Sequence, residues 1–468
     1  MSDIKDPNLH ESAFVPVDQQ QQDGAEHLDK RLNTHEAPIN STVFIEDKYP
    51  RYKYVILIGA FLALFMGFGF IGAWGVYQEH FLNVVWKGVI TPAQISFIAS
   101  LMVTISFAIS LFAGPIIRRW GERLVFGFGA LVFPLGVLTS SFVDTPWLLF
   151  LTLGVIAGMG IGSMIIANWY YLAKYWDRRR GFAMGFASAG SGFGGLAAAP
   201  IIRAMIEGLD WRWSLRIYAF VAWGVLLVVT VLMKPFDPPK GKFNFHKGAD
   251  GEAVEQRGFW ASLAASFTLL KDKRLLWACI GTMLLTFTYR IPYFYVPSYT
   301  VNLGLTASNG ALALGLMNGF SAGARIVFGT ASDYLGATNG IIVTSMISLI
   351  AVFFVWIFAK SYAVVLLFSI LYGSGSGGDA GLIVLVIRSL STIEQFPDAI
   401  ALSYIAQIPG NLAGPSIFGA LIGIPKSDGT KGPNYFPAQL FAGCVWVLIV
   451  ASFVYLRFIT SRKILARV

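Results

Sequence analysis

The chain has 468 residues, of which 55% are hydrophobic, 15% aromatic and only 13% charged, against roughly 25% charged in an ordinary soluble domain. A deficit of that size excludes a protein surrounded by water. The formal net charge of +9 would suit nucleic acid, but the charges sit in short clusters between long apolar runs, so nucleic acid is excluded as a partner and the excess reads as membrane topology.

Residues 1–47 are polar and acidic, with a glutamine run from Gln19 to Gln22. No basic start followed by a short apolar core is present, so no cleavable signal peptide is expected. This tail cannot bury enough apolar surface to fold alone and is expected to be disordered. Asn40-Ser41-Thr42 spells a glycosylation sequon, idle if the tail lies in the cytosol. Beyond it, apolar segments long enough to cross a hydrocarbon core of about 30 Å recur. They fall near 54–78, 92–117, 123–143, 147–172, 182–206 and 214–233, then, after a polar stretch at 234–273, near 275–298, 309–330, 338–358, 361–387, 397–424 and 436–459. Segments of this length exclude the short alternating strands of a barrel, and only helices can then satisfy their backbone groups in lipid. The expected fold is an all-α polytopic membrane protein of twelve transmembrane helices. Its expected divisions are a tail 1–47, a six-helix half 48–233, a cytoplasmic loop 234–273, a second half 274–460 and a short tail 461–468.

Basic residues in short loops set the orientation. With both termini cytoplasmic, the inner side holds Lys48, Arg51, Lys53, Arg118, Arg119, Arg123, Lys174 and Arg178 to Arg180, together with the basic residues of the central loop and the chain end. The outer side holds only Lys87, Arg212, Lys360, Lys426 and Lys431. Cys279 and Cys444 both lie inside apolar runs. Neither a disulfide framework nor a thiolate metal cluster is expected, and no cofactor.

The two halves repeat weakly. Gly114-Pro-Ile-Ile-Arg118-Arg119-Trp-Gly121 follows the second span, and Gly329-Thr-Ala-Ser-Asp333-Tyr-Leu-Gly336 follows the eighth. Both loops resemble the signature of the major facilitator superfamily, usually Gly-x-x-x-Asp-Arg-x-Gly. The second copy keeps its acid as Asp333; the first has Arg118 in that place, so the latch this loop forms on the cytoplasmic side must differ there. Before span 5, Tyr175-Trp-Asp-Arg178-Arg179-Arg180-Gly-Phe-Ala183-Met-Gly185, followed by Gly190-Ser191-Gly-Phe-Gly194, is similar to a motif of monocarboxylate transporters. Span 7, with Tyr289-Arg290-Ile-Pro292-Tyr293 and Pro297, and Gly414-Pro415 in span 11 resemble the same branch, in its fungal form. The resemblance implies a carrier whose halves rock about a midplane site, working as a single chain. Two departures limit what it implies. The lysine of span 1 is replaced at about Gly72, and the acid four residues before the span-8 arginine is Ser321. Arg325 inherits a substrate-anion role by resemblance, whereas proton coupling and lactate do not carry over.

A charge at membrane depth is costly unless it meets water or a partner, so it is a functional candidate by default. Arg325 and Arg290 could each meet a carboxylate through two parallel hydrogen bonds; structurally, Arg325 could instead latch to Asp333 and Arg290 could snorkel outward. Asp379 sits after a run of small residues in span 10 and could offset an arginine, take up a proton, or form a static salt bridge. Asn168 and Trp169 in span 4, Asn318 in span 8, and Gln407 and Asn411 in span 11 could bond a solute or tie helices together. Tyr289, Tyr293 and Tyr295 could wall a planar ligand or form an interface belt. Arg203 and Arg216 read as outer-interface anchors.

A secondary carrier for a small organic anion therefore leads, with the bilayer and, if transport is coupled, protons as further partners. No nucleotide-binding loop occurs. The five histidines sit in tails, loops or a span edge, which disfavours an intramembrane enzyme. A facilitator of a larger planar solute such as a vitamin, or a transporter-like sensor, remains the alternative. No address signal separates the plasma membrane, the default, from the vacuole.

Overall fold

In this computed structural model, residues 51–176, 180–233, 267–391, 395–422 and 433–461 are described. The tail 1–47 and most of the loop 234–273 therefore lie outside the described residues. Twelve helices are long and apolar enough to cross a membrane, and no strand occurs among the described residues. In chain order they are α1 (Tyr52–Val85), α2 (Pro92–Trp120), α3 (Glu122–Ser140), α4 (a π-helical turn Phe150–Ala157 continuing as Gly158–Tyr175), α5 (Arg180–Leu209), α6 (Trp211–Leu232), α7 (Lys273–Asn302), α8 (Ala307–Leu335), α9 (Ala337–Trp356), α10 (Tyr362–Ser389), α11 (Phe396–Ile422) and α12 (Tyr435–Thr460). Each expected span coincides with one helix. Below, the near end of the bundle is the one that holds Arg51, and the far end the one that holds Leu209.

Local sequence explains the helix ends. Thr91 caps α2 in a reciprocal box with Gln94, with Pro92 in the first turn, where its missing N–H costs nothing. Thr306 caps α8 by accepting from the Asn309 N–H at 3.2 Å. Asp272 caps α7, and the Arg274 guanidinium beside it holds its carboxyl below the usual range, so the cap persists as pH falls toward that range. Both α2 and α8 run for 29 residues and stop at a glycine of positive φ, Gly121 at 80° and Gly336 at 85°. An L side chain is strained there, so the closing glycine of each loop signature is a backbone requirement.

The same packing scheme recurs in the two sets of six helices. Helix α1 packs on α5, α4 and α6, as α7 packs on α11, α10 and α12. Helix α4 lies against α2 and α3, as α10 lies against α8 and α9; α3 meets α6, as α9 meets α12. The sets join along α5 with α8, α2 with α11, and α1 with α7. Helices α3, α6, α9 and α12 stay at the periphery. Their exposed apolar residues fall on helical stripes, such as Leu124, Phe128, Leu131 and Leu135 in α3 and Val343, Met346, Ile350 and Phe354 in α9. Those stripes are the surface that hydrocarbon covers in an integral membrane protein.

Two inner helices are broken. Helix α1 is interrupted at Ala73, between Tyr52–Gly72 and Trp74–His80, and ends in a π-turn, Phe81–Val85. Helix α7 is interrupted at Arg290, between Lys273–Tyr289 and Ile291–Asn302. Pro292 lacks an N–H and frees the carbonyl of Thr288. The Tyr372 hydroxyl of α10 takes that carbonyl at 3.2 Å and the Tyr289 carbonyl at 2.9 Å. Gly75 lies directly against the Tyr293 carbonyl, so the broken parts of α1 and α7 touch backbone to backbone.

Candidate functional site

The break in α7 places Tyr289 and Arg290 beside Arg325 of α8. The Arg325 Nη1 donates to the Ser188 carbonyl at 2.8 Å and to the Ser191 hydroxyl, both on α5. Its Nη2 donates to the Tyr289 hydroxyl at 3.1 Å. Its Nε is buried and has no partner. The Arg290 guanidinium lies 5.5 Å from the Tyr289 ring centre and 5.8 Å from that of Phe68 on α1, a cation–π arrangement. Its Nε reaches the Asn411 amide oxygen at 3.4 Å, a long bond. Among the described residues neither arginine has an ion pair. Two like charges thus share one tyrosine, one on its hydroxyl and one on its ring, with no carboxylate between them.

Tyrosines line one side of this pair. Tyr289 and Tyr293 lie 5.7 Å apart at 34°, and Tyr293 meets Tyr372 edge-on at 6.0 Å. The Tyr293 hydroxyl is paired with Ser376 at 2.9 Å. Tyr295 faces elsewhere: its hydroxyl donates toward the carbonyls of Pro92 and Pro415, 3.0 Å from each, at the far end.

The uncharged candidates divide by what their polar atoms already do. The Asn318 amide donates to the Gly72 and Leu314 carbonyls, both at 3.0 Å. A Cβ on Gly72 would meet the Asn318 amide oxygen at 2.8 Å, so α8 fills the space in which the resemblance expects a lysine. Gln407 donates back to Ser403, and its carbonyl accepts from Asn411 and Thr286. The Asn318 amide thus ties α8 to α1, whereas the Gln407 side chain bonds only within α11. Asn168 is fully buried and donates to the Ala60 carbonyl at 3.1 Å, but its amide oxygen has no partner; the residue lines an apolar crevice together with Phe68.

Asp379 is fully buried, and no arginine pairs with it among the described residues. Its Oδ1 accepts from Thr344 at 2.6 Å and Ser345 at 2.9 Å, and its Oδ2 from Ser348 at 3.4 Å, all on α9. Helical geometry explains why Asp379 meets α9 here. Gly373, Gly377 and Gly381, spaced by four, face Met317, Ser321 and Arg325 of α8. Two residues beyond Gly377 the helix has turned by about 200°, which points Asp379 at α9.

Arg203 is likewise more than an interface anchor. It bonds Glu79 of α1 at 3.1 Å and Glu207 at 2.7 Å, and Glu207 accepts from Ser308 of α8 at 3.1 Å. Glu79 is 4% exposed. Sequence reading missed it because span 1 was expected to end at 78. Arg216 lies over the rings of Phe142 and Trp213 and bonds Ser141. Of the loop signatures, Gly121 and Gly336 form the turns described above. Gly114 and Gly329 lie within helices, and the side chains of Arg118, Arg119, Arg180 and Asp333 lie outside the described residues, as do Arg178 and Arg179. Ser188 and Ser191 were missed as partners because hydroxyls inside a glycine-rich run look like packing residues.

Comparison with known proteins places this geometry in context. Residues 56–415 match the family model described as Major Facilitator Superfamily. The chain is 28% identical over 394 residues to an aspyridones efflux protein of Emericella nidulans, covering 84% of this chain and 75% of that one. It is 25% identical to an MFS-type transporter of an Ophiocordyceps species (86% and 84% covered) and 26% identical to an agnestins efflux protein of Paecilomyces divaricatus (84% of each). Among solved structures, the nucleoside transporter NupG aligns over 87% of this chain and 100% of its own, with a TM-score of 0.67 at 14% identity, a likeness of fold.

Proposed function

The chain belongs to the Major Facilitator Superfamily and is a membrane transporter, and from that premise we propose that it carries a small organic anion across the membrane by alternating access. The observation that carries this reading is the pair Arg290 and Arg325, joined through Tyr289 and without a carboxylate among the described residues. A guanidinium held inside a membrane-spanning helix without a counter-charge is costly, and an anionic solute relieves that cost through paired hydrogen bonds. The two six-helix sets rock about this site, with the near end cytoplasmic, where the basic loops lie. Kinship to proteins named for efflux supports outward transport at the plasma membrane. Asp379, with its three hydroxyl donors, is the group we assign to proton coupling, should transport prove coupled. The sequence resemblance to monocarboxylate transporters supports a carboxylate; the tyrosine wall of Tyr289, Tyr293 and Tyr372 favours, as a second reading, a larger planar solute.

The test is transport of a labelled panel of carboxylates and planar vitamins by cells expressing the chain, beside Arg325→Ala and Asp379→Asn, with and without a proton ionophore. Saturable transport of a carboxylate, lost in Arg325→Ala, is expected. Ionophore sensitivity that disappears in Asp379→Asn supports coupling through that residue. A surface-expressed chain that transports a neutral planar solute and ignores every acid overturns the anion reading, and one that transports nothing while binding a solute indicates a sensor.

A further inference from the structure

We infer that Ser191 is a positioning residue: with the Ser188 carbonyl it clamps one edge of the Arg325 guanidinium to the opposite helix set and turns the other edge toward the solute. The inference rests on the anion reading for what the free edge takes up. The clamp itself is a matter of geometry.

Helices α5 and α8 approach so closely at Gly192 that a Cβ there would meet the Asn318 carbonyl oxygen at 2.7 Å and the Ala322 Cβ at 2.8 Å. Arg325 is one further turn along the same face of α8, so its side chain reaches α5 at Ser188 and Ser191. There the bonds form a closed set. Nη1 donates to the Ser188 carbonyl and to the Ser191 hydroxyl, and that hydroxyl donates to the same carbonyl at 2.8 Å. A guanidinium is planar, with its five N–H groups in a fixed fork. Holding Nη1 therefore fixes where Nε and Nη2 point. On that side Nε has no partner and Nη2 has only the Tyr289 hydroxyl. This is the edge on which a carboxylate makes two parallel bonds. One guanidinium thus joins the two helix sets on one side and offers a docking edge on the other. Loss of the Ser191 hydroxyl frees the fork to rotate, which weakens both.

The test uses the full-length chain carrying Gly185→Cys on α5, near the Arg325 carbonyl, and subtracts the labelling of native Cys279 and Cys444 measured without that substitution. With no solute present, Ser191→Ala is expected to raise the labelling rate by roughly ten-fold, as loss of a hydrogen bond to a charged group implies, while Ser191→Thr, which keeps the hydroxyl, labels as the unsubstituted chain does. Amide hydrogen exchange over residues 180–195 reads the same opening without an introduced thiol. For whichever carboxylate of the panel is transported, Ser191→Ala is expected to raise KM by roughly ten-fold, with kcat kept and KM restored in Ser191→Thr. Labelling, exchange and KM unchanged in Ser191→Ala would overturn the clamp, even if Arg325→Ala abolishes carboxylate transport and the anion reading survives. The reverse result, labelling and exchange raised by Ser191→Ala with no carboxylate transported by any variant, supports the clamp and sinks the anion reading.

Discussion

Arg325 and Arg290 are both arginines inside membrane-spanning helices, but their contacts differ. Arg325 uses the shape of its fork, with bonds on separate edges to Ser188, Ser191 and Tyr289. Arg290 rests over two rings and makes one long bond. An ammonium can replace a charge over a ring, yet it cannot reproduce a planar fork. Arg325→Lys is therefore expected to lower kcat/KM by about ten-fold or more, close to Arg325→Ala, while Arg290→Lys stays within a few-fold of the unsubstituted chain. Initial transport rates for the three variants at matched surface expression check this, and equal losses for the two lysine variants would contradict it. The sequence marks both arginines as candidates because a charge at that depth needs a reason. It does not say which way Asp379 faces, since that depends on which neighbour each side of α10 meets.

At the scale of elements, the paired loops separate two kinds of glycine. Gly336 ends α8 at a φ of 85°, whereas Gly329 sits within the helix with open space where a Cβ would go. Gly336→Ala is expected to destabilise by about 1–3 kcal/mol, because positive φ with extended ψ is open essentially to glycine alone. Gly329→Ala is expected to be neutral or to stabilise by up to about 1 kcal/mol, because alanine gives up less backbone entropy in a helix. Thermal melting of the two variants in one detergent reads the difference, and similar melting points would refute the assignment of roles. The sequence pattern of glycine, three residues, a charge, two residues and glycine treats both ends alike. Only the backbone distinguishes a turn from a helix interior. The same holds for α7, where Pro292 announces a break but the capture of the freed Thr288 carbonyl by Tyr372 needs α10 alongside.

For the whole molecule, contacts between the helix sets extend from the middle of the bundle to its far end. At that end Tyr295 bridges toward the Pro92 and Pro415 carbonyls, and Ser308 bonds Glu207, which is held by Arg203 and, through it, linked to Glu79. Opening that end has to break these bonds. Tyr295→Phe with Ser308→Ala is therefore expected to speed hydrogen exchange of residues 93–96 and 416–419 by roughly thirty-fold, at about 1 kcal/mol for each of the two lost donors, leaving residues 180–195 unchanged; acceleration at both ends alike would indicate general loosening. The sequence by itself determined the class of molecule, the number of helices and their places along the chain, because a hydrocarbon core demands some twenty apolar residues per crossing whatever the neighbours are. It also determined the two arginines as candidates, because charge inside an apolar run stands out. Tertiary structure alone decided that Asn318 fills the space beside Gly72, that Asp379 is held by α9, and that Glu79 joins Arg203. Those outcomes depend on which helix faces come together, and residues far apart in the chain carry no local mark of the partners that packing gives them.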